Sequence, residues 1–421
     1  MKLSWLSLCA GLLLAASCGG EITSINIEPP KKNDDGWNNS SGGGSGNGGS
    51  NNGGSNNGGS SGGGSTSNPD AERLARLGQT PIVCVYLTEY TPSNEFPDEK
   101  EIRYYTHINY GHGRFVDKKN GTGLEIAKPE YLKKLAGYKK NYPELKILLM
   151  VGGWGKNADG FSMMARDPVK RKAFCDNILK ACVEYGIDGV DLDWEYPTYG
   201  AKSDNGTYVN GYHVDDTKNF TLLVKELRET LGKDRLISYA ASDSGNYMDH
   251  KACLEYVDYL NIMTYSMGDP PDKHNSPLYK SFKNSRGGAE SIEIYFSKGV
   301  PYNRMNYGMA YYGHGDGDKY PSSVQYHRIK QILEKGTWTD GGKTYDVSGY
   351  NIRWWDEKGK VPYLGDASGK MYASYEDEQS IAEKIKYVKQ RGLLGAFGWE
   401  YREDEPTGTL RHLVFNGLRG Q

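Results

Sequence analysis

The segment Asp188-Gly189-Val190-Asp191-Leu192-Asp193-Trp194-Glu195-Tyr196-Pro197 carries three carboxyl groups at alternate positions. On a strand, residues two apart share a face, so Asp191, Asp193 and Glu195 point one way while Val190, Leu192 and Trp194 point the other. Crowding acids on one face of a buried strand costs several kcal/mol of desolvation and mutual repulsion unless some of them hold protons. The pattern therefore predicts a proton held between Asp191 and Asp193, and a raised pKa on Glu195 suited to a general acid. Two other readings compete. A solvated loop edge is opposed by the flanking Val, Leu and Trp alternation. A divalent-cation site is opposed by the absence of the Gly turn of an EF-hand loop and by a strand's in-line presentation of ligands.

Such a strand needs a scaffold. From Gln79 onward, short β-type runs alternate with helical segments: Ile82–Leu87, His107–Gly111, Ile147–Gly152, Gly189–Trp194, Leu236–Ala241, Tyr259–Thr264, Met305–Tyr311 and Gly395–Trp399. Helix ends are marked by Asp167-Pro168 and Gly186, by Ser374 with Asp377 as a capping box, and by Gly232 and Gly392 as stops. Cys175, Ile178, Cys182 and Tyr185 form one apolar stripe for packing against a sheet. Eight βα units, with no Gly-rich phosphate loop after the first strand, predict an α/β fold of the (β/α)8 TIM-barrel type over residues 79–421. The carboxylates would then rise toward the C-terminal mouth of the barrel. The stretch between Tyr311 and Tyr375 is too long for a βα loop and predicts a small α+β insertion over about 313–374, between strand 7 and helix 7. Its rings, Trp338, Tyr345, Tyr350, Trp354 and Trp355, either make a core of their own or line a cleft.

The acidic strand resembles the D-x-x-D-x-D-x-E signature of family 18 glycoside hydrolases, the chitinase family. Further matches are Thr106-His107-Ile108-Asn109-Tyr110, Val151-Gly152-Gly153-Trp154, Asn261-Ile262-Met263-Thr264-Tyr265 and Gly395-Ala396-Phe397-Gly398-Trp399-Glu400. That resemblance implies a retaining, substrate-assisted mechanism in which the substrate's 2-acetamido oxygen is the nucleophile. Glu195 would be proton donor and then base. Asp193 would orient the acetamido group, Asp191 would hold or release the proton that lets it do so, and Tyr265 would donate to the acetamido oxygen. Trp399 would floor the cleavage subsite, with Met263, Tyr86 and Trp154 as further substrate contacts and Asp188 as structural support. Three departures stand out: Met150 where Ser is usual, Ser266 where Asp commonly follows the Tyr, and Gly111-His112 for Ala-Phe. The substrate implied is a polysaccharide or oligosaccharide containing N-acetylglucosamine. An endo-β-N-acetylglucosaminidase acting on N-glycans and a non-catalytic sugar-binding protein remain as alternatives. No metal or cofactor is called for.

The rest of the chain bounds where this happens. Of 421 residues, 51 are basic and 53 acidic, with no basic block to neutralise phosphates, which argues against nucleic acid as a partner. Residues 1–17 have the form of an export signal, and Cys18 behind Ala15, Ala16 and Ser17 resembles the lipidation site of bacterial lipoproteins. Residues 38–68 are almost wholly Gly, Ser and Asn, and segment 18–78 is expected to be a lipidated flexible tether. The expectation is a monomer held at the cell envelope by a lipid anchor. Cys84, Cys175, Cys182 and Cys253 are expected as buried free thiols rather than a disulfide framework.

Overall fold

Eight parallel strands form where apolar runs were expected: β1 (Ile82–Thr88), β2 (His107–Arg114), β3 (Lys146–Gly152), β4 (Gly189–Asp193), β5 (Leu236–Ala241), β6 (Tyr259–Ile262), β7 (Met305–Ala310) and β8 (Gly395–Trp399). Each pairs with the next, and β8 closes on β1. The result is a (β/α)8 barrel. The computed structural model describes residues 69–199, 212–340 and 342–420. The segment expected as an export signal at 1–17, Cys18 and the expected tether at 38–68 lie outside the described residues. No described helix is long and apolar enough to cross a membrane.

Strand alternation sorts the core into two parts. Cys84, Tyr86, Leu148, Met150, Tyr259 and Phe397 fill the barrel interior, while Val190, Leu192 and Trp194 join the larger layer between strands and helices. The helix Pro168–Tyr185 starts on Asp167, whose carboxylate accepts from the N–H groups of Val169 and Lys170, and ends at Gly186 with φ 67°. That left-handed turn favours glycine. Of its expected stripe, Cys175, Ile178 and Cys182 are buried and Tyr185 is half-buried, and all four described cysteines are buried and free.

Three expectations are corrected. The helix Pro69–Leu77 occupies part of the segment assigned to the tether, because Leu77 plugs the barrel interior and Arg76 pairs with the buried Asp258 at 2.9 Å. The helix Glu378–Arg391 is capped by Asp377 with Ser380 as its reciprocal partner, not by Ser374, whose hydroxyl is engaged by His274 and Asn275. Strand β6 stops at Ile262, and Thr264 instead sends its hydroxyl to the Gly308 carbonyl at 2.6 Å.

The insertion is α+β. A five-stranded antiparallel sheet runs in the order Val324–Gln325, Tyr312–Gly315, Met371–Ser374, Val361–Gly365, Ile352–Asp356, and is joined by the helix Tyr326–Lys335 and the hairpin Thr337–Asp340/Lys343–Asp346. Trp338 is buried and stacks on Tyr345 at 4.5 Å, and Tyr350 meets Tyr372 at 4.9 Å. Trp338, Tyr345 and Tyr350 thus pack into the core, while Trp354 is exposed and Trp355 half-buried. None of the five rings borders the main cleft, which instead receives Tyr312 from the insertion's first strand.

Candidate active site

At the C-terminal ends of the strands lies a cleft of about 580 Å³, bordered by Asp193, Glu195, Met263, Tyr265 and Trp399 among others. Tyr86 and Trp154 also line it, so seven of the expected site residues meet there. The backbone is cis at Gly111-His112, Glu195-Tyr196 and Trp399-Glu400, all near the mouth.

Asp191 sits below the cleft and is fully buried. Tyr86 donates its hydroxyl to Oδ2 at 2.7 Å, and Ser238 donates to Oδ1 at 2.6 Å. The Asn261 amide donates to the same Oδ1 at 3.1 Å and to the Tyr86 hydroxyl at 3.0 Å. The amide nitrogen of Asn306 donates to the Asn261 oxygen at 3.0 Å, which fixes which end of that amide faces the acid. Burial raises the Asp191 carboxyl while these donors oppose the rise. Asp193, one step up the strand, has no such support: its Oδ1 is buried without a hydrogen-bond partner among the described residues. Burial, then the charges of Glu195 and Asp191, push its carboxyl well above the usual range. Glu195 is pushed up to about 7 by burial, opposed by a hydrogen bond from Tyr196. Burial thus raises all three carboxyls, and the most donors oppose the rise at Asp191.

Around these acids stand rings. Trp399 is half-buried, its ring centroid 5.4 Å from that of Tyr86. Tyr265 packs between Tyr312 and Phe397 at 6.0 Å from each, with Met263 in the same interior cluster. Trp154 is 62% exposed at the rim and lies 6.4 Å from Tyr196. An exposed Trp flanking a cleft is a flat apolar face offered to a ligand. Asp188 is elsewhere: Lys139 Nζ reaches both its oxygens at 2.8 Å, and the Ile147 N–H donates to Oδ2 at 2.8 Å. It ties the start of β4 to β3.

The departures have physical accounts. Met150 is the register partner of Asp191 on one side and offers no donor, but Ser238, its partner on the other side, does. Gly111 makes room for Met150, since a Cβ there would lie 2.7 Å from the Met150 sulfur and 3.2 Å from its Cβ. These two departures are one exchange of volume. His112 lies on the cleft wall and bonds Glu89 at 2.7 Å, and Glu89 is also paired with Arg114. The hydroxyl groups of Ser266 and Tyr312 are 2.6 Å apart.

Sequence reasoning missed Ser238, Tyr312 and the donor roles of Tyr86 and Asn261. Ser238 had a signal, as the polar residue at an inward position of Leu236–Ala241. Tyr312 had none, since one more Tyr beside Tyr311 is unremarked among 33. No group of three or more His, Cys, Asp or Glu side chains among the described residues is arranged to hold a metal ion.

A model of the glycosyl hydrolases family 18 matches residues 82–404. Chitinase A1 of Niallia circulans is 33% identical over 297 residues, 63% of this chain and 42% of that protein. Chitinase ChiA of Flavobacterium johnsoniae is 29% identical over 357 residues, 66% of this chain and 22% of that protein. The chain thus spans less than half the length of either. Among solved structures, a glycoside hydrolase family 18 N-acetylglucosaminidase from Paenibacillus barengoltzii superposes with TM-score 0.65 at 28% identity, covering 80% of this chain and 99% of that one.

Proposed function

The chain belongs to family 18 of the glycosyl hydrolases, and from that premise we propose that it cleaves β-1,4-linked N-acetylglucosamine polymers or oligosaccharides with retention, using the substrate's acetamido group as nucleophile. The observation that carries this reading is the set of acids on and just past β4: Asp191 under three donors, Asp193 with a buried oxygen that has no partner among the described residues, and Glu195 pushed up to about 7. A carboxyl still protonated near neutral pH can give its proton to a departing glycosidic oxygen and then take one from water. The unpartnered Oδ1 of Asp193 accepts the acetamido N–H and stabilises the cyclic cation that forms. Asp191 beneath it holds or releases the proton that lets Asp193 do so. Tyr265 supplies a hydroxyl for the acetamido oxygen, and Trp399 an apolar floor for the sugar.

The chitinase names of the relatives favour chitin-type chains as substrate. The N-acetylglucosaminidase with the same fold favours, as a second reading, removal of single sugars from a chain end. Product analysis on chitooligosaccharides beside a high-mannose glycoprotein separates these readings from action on N-glycans. The export signal, Cys18 and the tether support display at the cell envelope through a lipid. Glu195→Gln is the central test. It keeps the cleft's shape but removes the transferable proton, so turnover falls by about two to four orders of magnitude while oligosaccharide still binds. Hydrolysis at the wild-type rate would overturn the assignment.

A further inference from the structure

Past Trp399 the chain turns through Tyr401–Glu403 and sets two more acids on the β8 wall of the cleft, neither used in the mechanism above. Glu400 is 2% exposed. Its Oε1 accepts from Arg402 Nε at 2.5 Å, but its Oε2 is buried with no partner among the described residues. The Oε2 of Glu403 is buried and unpartnered in the same way. A buried carboxyl oxygen without a bond is costly, and two beside one cleft mark a place where a ligand's donors complete the bonding.

The surroundings define the donor. Glu403 feels Glu400 and Arg402 from its own turn, Arg328 from the helix Tyr326–Lys335, and Tyr312 from the insertion's first strand, while His327 on that helix bonds the backbone of the turn and not the carboxyl. Burial and then the charge of Glu400 push Glu403 up to about 8, with both arginines opposing. Tyr312 feels both Glu403 and Glu195, which sets this acidic pair beside the cleavage centre. Arg402 is already committed to Glu400 and lies over the Tyr90 ring at 5.6 Å. A sugar hydroxyl would bond one oxygen but leave the repulsion that keeps Glu403 protonated. An acetamido group brings one N–H and no charge, so it too leaves that repulsion in place. An ammonium brings three donors and the missing charge.

We propose that Glu400 and Glu403 form a subsite for the ammonium group of a de-N-acetylated glucosamine unit, so that the cleft favours partly deacetylated chains over fully acetylated ones. The inference rests on the glycosidase reading. On binding, Glu403 gives its proton to solvent and pairs with the ammonium, leaving two neutral ion pairs, Glu400 with Arg402 and Glu403 with the sugar.

The test is calorimetric titration of the full chain carrying Glu195→Gln, with chitotetraose and with its singly de-N-acetylated isomers, near neutral pH in two buffers of different ionisation enthalpy. At least one isomer should bind about fivefold more tightly than chitotetraose, with release of up to one proton. Adding Glu403→Gln should bring that ratio to about one and remove the proton release. Equal binding of all tetramers without proton release, or a preference that survives Glu403→Gln, overturns the inference while leaving the glycosidase reading intact. Should the second substitution impair folding, the proton release in the first protein decides alone. Failure of every tetramer to bind overturns the functional reading and this inference with it.

Discussion

Glu195→Gln should cost activity and return stability, and the return should depend on pH. Glu195 moves from an ordinary 4.5 to about 7 because the folded protein buries it. The sign follows from where protons sit. Below about pH 4.5 the carboxyl is protonated in folded and unfolded chains alike, and burial of the neutral acid carries no charge penalty. As pH rises from there, the unfolded chain loses its proton first and is favoured. Stability therefore falls until the folded-state pKa is passed, and then levels. At about 1.4 kcal/mol per pH unit, the loss amounts to about 3 kcal/mol. A glutamine cannot titrate, so the variant escapes the loss. Its advantage over wild type should be near zero at acid pH and approach about 3 kcal/mol in mildly alkaline buffer. Loss of the Glu195 charge also lets the Asp193 carboxyl fall, which acts in the same direction. Urea unfolding of both proteins at a series of pH values, at equal m-value, reads the difference directly. A constant difference across pH, or one that shrinks as pH rises, would refute the claim that burial holds Glu195 protonated. In the proposed mechanism the same carboxyl governs kcat/KM, so activity should be present while Glu195 is protonated and decline as pH rises through about 7.

Four further outcomes are expected. Tyr86→Phe and Ser238→Ala each remove a donor from Asp191, and a lost bond to a charged group, worth about 1.5–3 kcal/mol, should raise that carboxyl and lower kcat at modest change in KM; unaltered pH profiles in both would deny the donors a role. Trp399→Ala should lose much of kcat/KM, whereas Trp154→Ala, at the exposed rim, should raise KM for long oligomers with the melting temperature unmoved; equal kinetics for both and wild type would make these rings mere packing. Gly111→Ala should destabilise the protein by about 1–3 kcal/mol through overpacking against Met150, and Met150→Ser in the same chain should restore part of it; additive losses would break the link. Cys18→Ala should release soluble protein with unchanged specific activity, and membrane retention of that variant would sink the lipid anchor.

The residues 188–197 were legible because a strand's period of two is local: alternate acids and apolar groups state their two faces without reference to the rest of the chain. The eight strands were legible as short apolar runs, a local signal as well, and so were Asp167 and Gly186, since capping involves residues two or three apart. Where local chemistry had two solutions, the structure chose, as with Asp377 over Ser374 and the burial of Trp338 away from the cleft. What the sequence could not state is who holds Asp191. Its donors come from β1, β5 and β6, brought together only when the barrel closes in a register that sets Asp191 beside Ser238 and Met150. The shared volume of Gly111 and Met150 and the entry of Tyr312 into the cleft likewise depend on contacts between distant segments. Residue types along one strand determine which groups can ionise. Closure of the barrel decides which of them do, because burial and donors act through space, and space is set by the fold.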